Sequence, residues 1–392
     1  MRKIKFYTLG CKVNQYDTQS IRERFLSRGF KEVPEKSKAD FYLVNTCTVT
    51  GSADRKSRNI IRSCVNENPK AKVIVTGCLV SKDSGMLSAI KGISFIISKS
   101  FFPDGISDFQ GHTRAFLKIQ DGCDNFCSYC KVPLVRGSPR SRPLGDIIKE
   151  AESLAKKGFK EVVLTGICLG SYGKDTGRSV DLVKVIDELE KLKGIFRIRL
   201  SSIEAGDVTD KLIDRIAQSK KLCPHLHIPM QSGDDEILRK MRRKYTRRFY
   251  LSLVSKVKRK IPDAAITTDC LVGFPGETEK NFSNTLSLIK KIIPLKVHIF
   301  SYSVREGTYA ADNFEHRLPP EVIKERINKL NALAARCRMR FREQFKNKKL
   351  QVLFESPSKE KAGYWEGYTG NYMKVYLKSR KPLRNKLVSL RV

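Results

Sequence analysis

The stretch Asp121-Gly122-Cys123-Asp124-Asn125-Phe126-Cys127-Ser128-Tyr129-Cys130 carries three thiols, with three residues between the first pair and two between the second. A loop of that length can curl around one face of a cubane and present three thiolates from one side. Soft thiolate ligands select zinc, copper(I) or iron–sulfur centres. A structural zinc site closes with four protein ligands, and no fourth Cys or His follows Cys130 at the usual short spacing. Three ligands leave one metal corner free, as a cluster needs if it is to bind and break a small molecule. The structural alternatives are an incomplete zinc knuckle or cysteines that merely share a buried loop.

Ala115–Ile119 reads as the strand that delivers this loop at its C-terminal end. Later strands are expected at Glu161–Leu164, Phe196–Leu200, Leu226–Ile228, Ala264–Leu271 and Val297–Phe300, separated by helical stretches near 146–157, 181–192, 209–218, 246–260 and 279–291. Six βα units imply a partial (βα)6 barrel with its chemistry at the C-terminal face of the strands. On that face Thr165-Gly166 is small enough for a ligand to approach the backbone. Ser202 and Glu204 share one side of an extended segment, opposite Ile203, and are candidates for hydrogen-bonding a ribose or an amine. His227 and Gln231 bracket the fourth strand end, where His227 is equally a satisfied core histidine. Val272-Gly273-Phe274-Pro275-Gly276-Glu277 closes the fifth strand with a turn whose backbone could approach an adenine.

Upstream, residues 1–98 alternate strand and helix. Strands at Ile4–Leu9, Phe41–Asn45 and Val73–Thr76 each run into a cysteine, at Gly10-Cys11, Thr46-Cys47 and Gly77-Cys78. In a parallel sheet these strand ends lie along one edge, so Cys11, Cys47 and Cys78 are expected to converge as a second three-thiolate site. One such cysteine would be an ordinary buried residue; Cys64 falls on a helix face and reads as structural. The expected division is an N-terminal parallel α/β domain over residues 1–100, a linker over 101–114, a barrel over 115–345 and a small all-β module over 346–392. A long helix from Pro319 to about Phe345, rich in Arg and Lys at its end, precedes that module.

The chain of 392 residues carries 76 Lys and Arg against 41 acids, a formal charge of +35 spread along its length. A polyanion is the partner such a surface attracts, since every neutralised phosphate releases condensed counterions; a Lys-rich proteome is the other source of such a surface. Arg136, Arg140 and Arg142 follow the cysteine loop and are candidate phosphate or substrate anchors. The run Arg239–Tyr245, with Arg247 and Arg248, is a further basic cluster, for which a solvated helix face is the usual meaning. Residues 346–392 hold 12 Lys and Arg against 3 acids, interleaved with Tyr364, Trp365, Tyr368, Tyr372 and Tyr376. Cations among aromatics suit an OB-like RNA-binding barrel, although alternate aromatics must also build its core. No run approaches the roughly 20 apolar residues of a membrane span, and Met1–Lys12 lacks a signal-peptide core. The eleven cysteines are therefore expected to be reduced, in the cytoplasm.

The two triads, the barrel pattern and the basic β-module in this order resemble the methylthiotransferase family of radical S-adenosylmethionine (SAM) enzymes, whose third part is a TRAM domain. Tyr129 occupies the aromatic position before the last cysteine of the superfamily loop. Tyr7–Tyr16 and Asn45–Thr50 are similar to the branch that modifies N6-threonylcarbamoyladenosine at position 37 of tRNA, as are Ser201–Glu204, His227–Gly233 and Thr267–Thr278. The resemblance implies two 4Fe–4S clusters, one on Cys123, Cys127 and Cys130 that binds SAM and one on Cys11, Cys47 and Cys78 that carries the sulfur. Tyr129, Thr165, Gly166, Ser202, Glu204 and Gln231 become the candidate SAM contacts. The implied partners are the anticodon stem-loop of tRNA, an electron donor such as flavodoxin or ferredoxin, and a sulfide source. Two positions depart from the family pattern. Cys168 stands where a His or other polar residue is common and reads as a filler, and Ser138-Pro139 replaces the usual charged residues. Rival readings are the same chemistry on isopentenyladenosine, methylthiolation of a ribosomal protein, and a non-catalytic zinc-containing RNA-binding protein.

Overall fold

The computed structural model describes residues 1–82, 84–98, 105–177, 180–315 and 317–392. Residues 101–104 of the expected linker lie outside the described residues.

The N-terminal unit comprises β1 (Lys3–Thr8), α1 (Lys12–Ser27), β2 (Lys31–Glu32), β3 (Phe41–Thr46), α2 (Gly51–Glu67), β4 (Lys72–Gly77), α3 (Cys78–Lys82), α4 (Ser84–Ser88) and β5 (Ile93–Ile96). The strands form one parallel sheet in the order β2-β1-β3-β4-β5. Parallel strands covered on both faces are apolar almost throughout, and Tyr42, Leu43, Val44, Val73 and Val75 are all buried. Cross-strand register places Thr8 against Asn45 and Asn45 against Thr76, so the residues after β1, β3 and β4 emerge side by side.

The central unit runs β6 (Arg114–Lys118), β7 (Gln120–Asp121), α5 (Val132–Arg136), β8 (Arg140–Ser141), α6 (Leu144–Lys156), β9 (Glu161–Thr165), α7 (Leu182–Lys191), β10 (Arg197–Leu200), α8 (Asp210–Gln218), β11 (His225–His227), α9 (Asp235–Lys240), α10 (Arg247–Lys260), β12 (Ala265–Val272), α11 (Glu279–Ile292), β13 (Lys296–Ser301), α12 (Tyr309–Asn313) and α13 (Pro320–Glu343). Two three-stranded parallel sheets, β6-β9-β10 and β11-β12-β13, are joined by the bridges Ile198–Leu222 and Ser202–His227. All six expected strands are present, in one curved parallel wall. Helix starts follow local chemistry: Asp181, Thr209, Thr246 and Thr278 each accept a hydrogen bond from a first-turn backbone N–H of α7, α8, α10 and α11. Each such cap contributes about 1 kcal/mol.

Two features were not expected. Residues 105–113 are no loose linker, because Ile106 and Phe109 are buried in the barrel's core cluster and Glu23 accepts from Ser107 N and Asp108 N. The short antiparallel pair β7·β8 folds Arg140 and Ser141 back over the start of the cysteine loop.

The last unit is a curled antiparallel sheet in the order β16-β15-β14-β17, built from β14 (Lys349–Pro357), β15 (Tyr364–Thr369), β16 (Lys374–Lys378) and β17 (Leu387–Arg391). It closes the N-terminal end of the barrel, opposite the cysteine loop. Arg197 donates to Tyr368 O at 3.0 Å, Arg199 to Gly370 O at 2.9 Å, and Arg114 pairs with Glu355 at 2.5 Å. Tyr372 lies against Arg199, Arg114 and His225. The five interleaved aromatics therefore divide. Tyr368 and Tyr372 pack on the barrel and Trp365 packs on the module's own core, leaving Tyr364 and Tyr376 beside Lys361 on the outer face.

Candidate active site and metal centres

The loop Gly122–Cys130 leaves β7 through a turn that only glycine can make. Gly122 has φ +76°, and a Cβ there would lie 2.0 Å from Ser138 O. Backbone bonds from Cys123 N to Gly137 O and from Cys130 N to Cys127 O hold the curl. All three cysteines line a cavity of about 320 Å³ at the C-terminal face of the barrel. Its walls come from every part of that face: Tyr129, Cys168, Ser202, Glu204, Gln231, Asp269 and Tyr302. Val49 and Thr50, just after Cys47, close it from the N-terminal unit.

The polar wall is held rigidly. The Arg243 side chain is 5% exposed, donates to both Glu204 oxygens at 2.5 and 2.7 Å, and donates to Cys127 Sγ at 3.2 Å. Burial nevertheless raises the Glu204 carboxyl above its ordinary range. His227 hydrogen-bonds Thr267 Oγ1 at 2.9 Å and faces Asp269 Oδ1 at 3.2 Å. Gln231 adopts φ +63° while its N–H donates to Asp269 O. Burial drives the Cys130 thiol up to about 12, so an unliganded Cys130 stays protonated. Cys123 shares a hydrogen bond with Cys168, which pulls the Cys123 thiol below its ordinary value.

The N-terminal cysteines come together as the strand register requires. Gly10, with φ +99°, sits so close to Cys47 that a Cβ would fall 2.8 Å from Cys47 Sγ. Thr46 Oγ1 donates to Thr76 O and accepts from Leu79 N, which ties the Cys47 loop to the Cys78 loop. Burial first, then the neighbouring Cys78 and Cys11 thiols, push Cys47 up to about 11. Cys11 is exposed, whereas Cys47 and Cys78 are buried. Among the described residues no three His, Cys, Asp or Glu side chains converge on a single ion position. Each triad supplies three soft thiol donors, and that donor chemistry fits an iron–sulfur cluster, in which every thiolate takes its own iron.

The radical SAM superfamily profile matches residues 117–289, and the family described as UPF0004 matches residues 3–98. The chain is 38% identical to the threonylcarbamoyladenosine tRNA methylthiotransferase MtaB of Bacillus subtilis, over 100% of this chain and 94% of that protein. It belongs to the radical SAM tRNA methylthiotransferases. A same-named protein of Thermotoga maritima is 37% identical, over 95% of this chain and 91% of the other. The tRNA-2-methylthio-N(6)-dimethylallyladenosine synthase of Acetivibrio thermocellus is 34% identical, over 98% and 87%. Among solved structures, the radical SAM methyltransferase TsrM of Kitasatospora setae shares the fold with TM-score 0.56 at 13% identity, over 79% of this chain and 76% of that one.

In this methylthiotransferase Tyr129, Ser202, Glu204 and Gln231 stand together in the cavity wall, as expected for a ligand site. Thr165 does not. It is buried, with its hydroxyl spent on Val163 O. Gly166 lies against Gln120, and Ile167 and Cys168 take the places on the wall. Cys168 is thus a wall residue touching a triad thiol, and not the neutral filler expected. The Gly-Pro turn after β12 is also turned away. Gly273 packs under Ile323 of α13, and Glu277 pairs with Arg326 at 2.8 Å.

The arginine expectations need correction. Arg136 is only 2% exposed and pairs with Asp121 at 2.7 Å. Arg142 is buried against Glu150 and Tyr16. Both are fasteners between the barrel and the N-terminal unit, out of reach of a phosphate, and only Arg140 is exposed. Arg243, Arg305 and Tyr302 were missed. Arg243 lay in a run that read as a solvated face, and nothing local marks it as Glu204's partner.

Proposed function

We propose that this chain methylthiolates C2 of N6-threonylcarbamoyladenosine at position 37 of tRNA, giving 2-methylthio-N6-threonylcarbamoyladenosine. What supports the reading is a second thiol triad whose Cys47 loop contributes Val49 and Thr50 to the wall of the barrel cavity, on a chain aligned over its whole length with a protein of that name. Cys123, Cys127 and Cys130 are assigned to one 4Fe–4S cluster, and Cys11, Cys47 and Cys78 to the other. With SAM bound, the clusters supply the radical and sulfur chemistry that no side chain can perform on an unactivated aromatic C–H.

The protein's own residues position and shield. Ser202, Glu204 and Gln231 present fixed polar groups for the amine and ribose of SAM, with Glu204 oriented by Arg243. Val49, Ile167, Leu271 and Phe300 form the apolar part of the wall and exclude water from the reacting carbon. Tyr129 packs edge-on to Phe274, which fixes the ring beside the last cysteine. The excess of Lys and Arg draws tRNA to the surface. A one-electron donor of the flavodoxin or ferredoxin kind and a sulfide source complete the proposal, which places the chain in the cytoplasm. Among the described residues no helix is long and apolar enough to cross a membrane.

The test is turnover by the anaerobically reconstituted enzyme on anticodon stem-loops carrying either threonylcarbamoyladenosine or isopentenyladenosine. Methylthio product on the first alone supports the reading. Product on the second alone replaces it with the other branch. Zinc with little iron or sulfide in the purified chain refutes it.

A further inference from the structure

One hydrogen-bonded path runs from the first cysteine loop to the second triad. Gly122 N donates to Asp121 Oδ1 at 2.8 Å, on the residue before Cys123. Asp121 pairs with Arg136 Nη1 at 2.7 Å, and Arg136 Nη2 donates to Asn14 Oδ1. Asn14 is fully buried and reaches all three loops of the second triad. Its Nδ2 donates to Leu9 O at 2.8 Å and to Thr46 O at 2.9 Å, and its Oδ1 lies 3.9 Å from Cys78 Sγ. Arg136 ends α5, which begins two residues after Cys130. The barrel thus inserts a guanidinium into a centre whose thiols belong to the N-terminal sheet.

The surrounding charges are Lys118, Asp17 and Asp121. Lys118 pairs with Asp17 at 2.7 Å and with Asp121 at 2.9 Å. With Arg136 present two cations balance the two acids; without it Lys118 alone faces both carboxylates, and the set beside the thiolates carries one net negative charge. A buried cation acts strongly on nearby charge because the medium screens it weakly. Groups that touch metal ligands from outside set their orientation and tune the metal's potential.

We propose that Arg136, acting through Asn14, is a positioning residue that couples the two thiol triads. It holds the Cys11, Cys47 and Cys78 loops in register with the barrel and sets the charge against which that centre is reduced. The proposal rests on the reading of those cysteines as ligands of a second cluster.

The experiment uses the full chain with Cys123, Cys127 and Cys130 changed to Ala, so that the second centre is read alone. Iron, sulfide, the reduction midpoint and the rate of iron loss to a chelator are measured in this parent and in Arg136→Gln, Arg136→Lys and Asn14→Ala. Removing the cation disfavours the more negative reduced state, so Arg136→Gln lowers the midpoint and Arg136→Lys restores most of it. Asn14→Ala and Arg136→Gln lose iron about 10-fold faster. An Arg136→Gln chain that holds no iron while Arg136→Lys holds a full complement also supports the coupling. Parental midpoint and parental iron loss in Arg136→Gln overturn it, as does equal loss in the Gln and Lys variants. A parent without iron refutes the second-cluster reading itself.

Discussion

Arg305 donates from Nη2 to Asp54 Oδ2 at 2.7 Å and to Thr48 O at 2.7 Å, locking the segment after β13 to the residue that follows Cys47. Both side chains are buried, and Arg305 also lines the cavity. Removing one partner of such a pair strands a charge at a cost of about 3–5 kcal/mol. Arg305→Ala and Asp54→Ala are each expected to show that loss in denaturant unfolding. The double variant should cost clearly less than the sum, because the stranded charge is gone. SAM cleavage is expected to outlast methylthio transfer in all three, since the barrel keeps its own loop.

Gly122→Ala meets both a left-handed backbone and a carbonyl oxygen that cannot withdraw. The strained φ alone costs about 1–2 kcal/mol, and the contact with Ser138 O adds to it. The loop is expected to open, and iron analysis should show the loss of one cluster per chain with the N-terminal one retained. The same contact explains why Ser138 can replace a charged residue: its backbone is what the loop uses.

Burial pushes the Glu150 carboxyl up to about 7 even with Arg142 beside it. A carboxyl raised in the folded state binds more protons folded than unfolded, so its contribution is full below the unfolded value and declines as pH rises toward 7. Comparison of thermal midpoints across pH 5 to 8 should therefore show a falling component in the parent that Glu150→Gln lacks. An identical slope in the two chains would assign the pH dependence elsewhere.

Tyr372 and Tyr376 should separate stability from RNA binding. Tyr372 packs half-buried at the barrel's N-terminal end between Arg114 and Arg199, so Tyr372→Ala is expected to lower stability, by less than the ~3–5 kcal/mol of a fully buried aromatic. Tyr376 lies beside Lys361 and Lys374 on the outer face. Changing Lys361 and Tyr376 to Ala together should weaken tRNA binding and lower its salt slope by about one, with SAM cleavage unchanged.

Much of this arrangement was legible because it repeats. Three strand-then-cysteine junctions in a βα chain leave few placements for Cys11, Cys47 and Cys78, and six apolar strands spaced by amphipathic helices leave few for the barrel. The illegible part lies where units meet. Arg136 and Arg142 look like surface cations until α1 covers them with Asn14 and Tyr16. Arg243 looks solvated until Glu204, from another strand, takes it inward. Thr165 and Gly166 occupy the strand end, but the Thr165 hydroxyl folds back onto Val163 O, and Ile167 and Cys168 take the wall. Local patterns carry backbone direction; they carry no record of which buried charges pair across the joint.

In the proposed function the N-terminal triad delivers the sulfur while the barrel triad cleaves SAM. Cys47→Ala in the reconstituted holoenzyme tests it directly, with 5′-deoxyadenosine and methylthio nucleoside measured from the same reaction. Continued 5′-deoxyadenosine formation with no methylthio nucleoside is the expected result. Methylthio product from that variant would contradict the account.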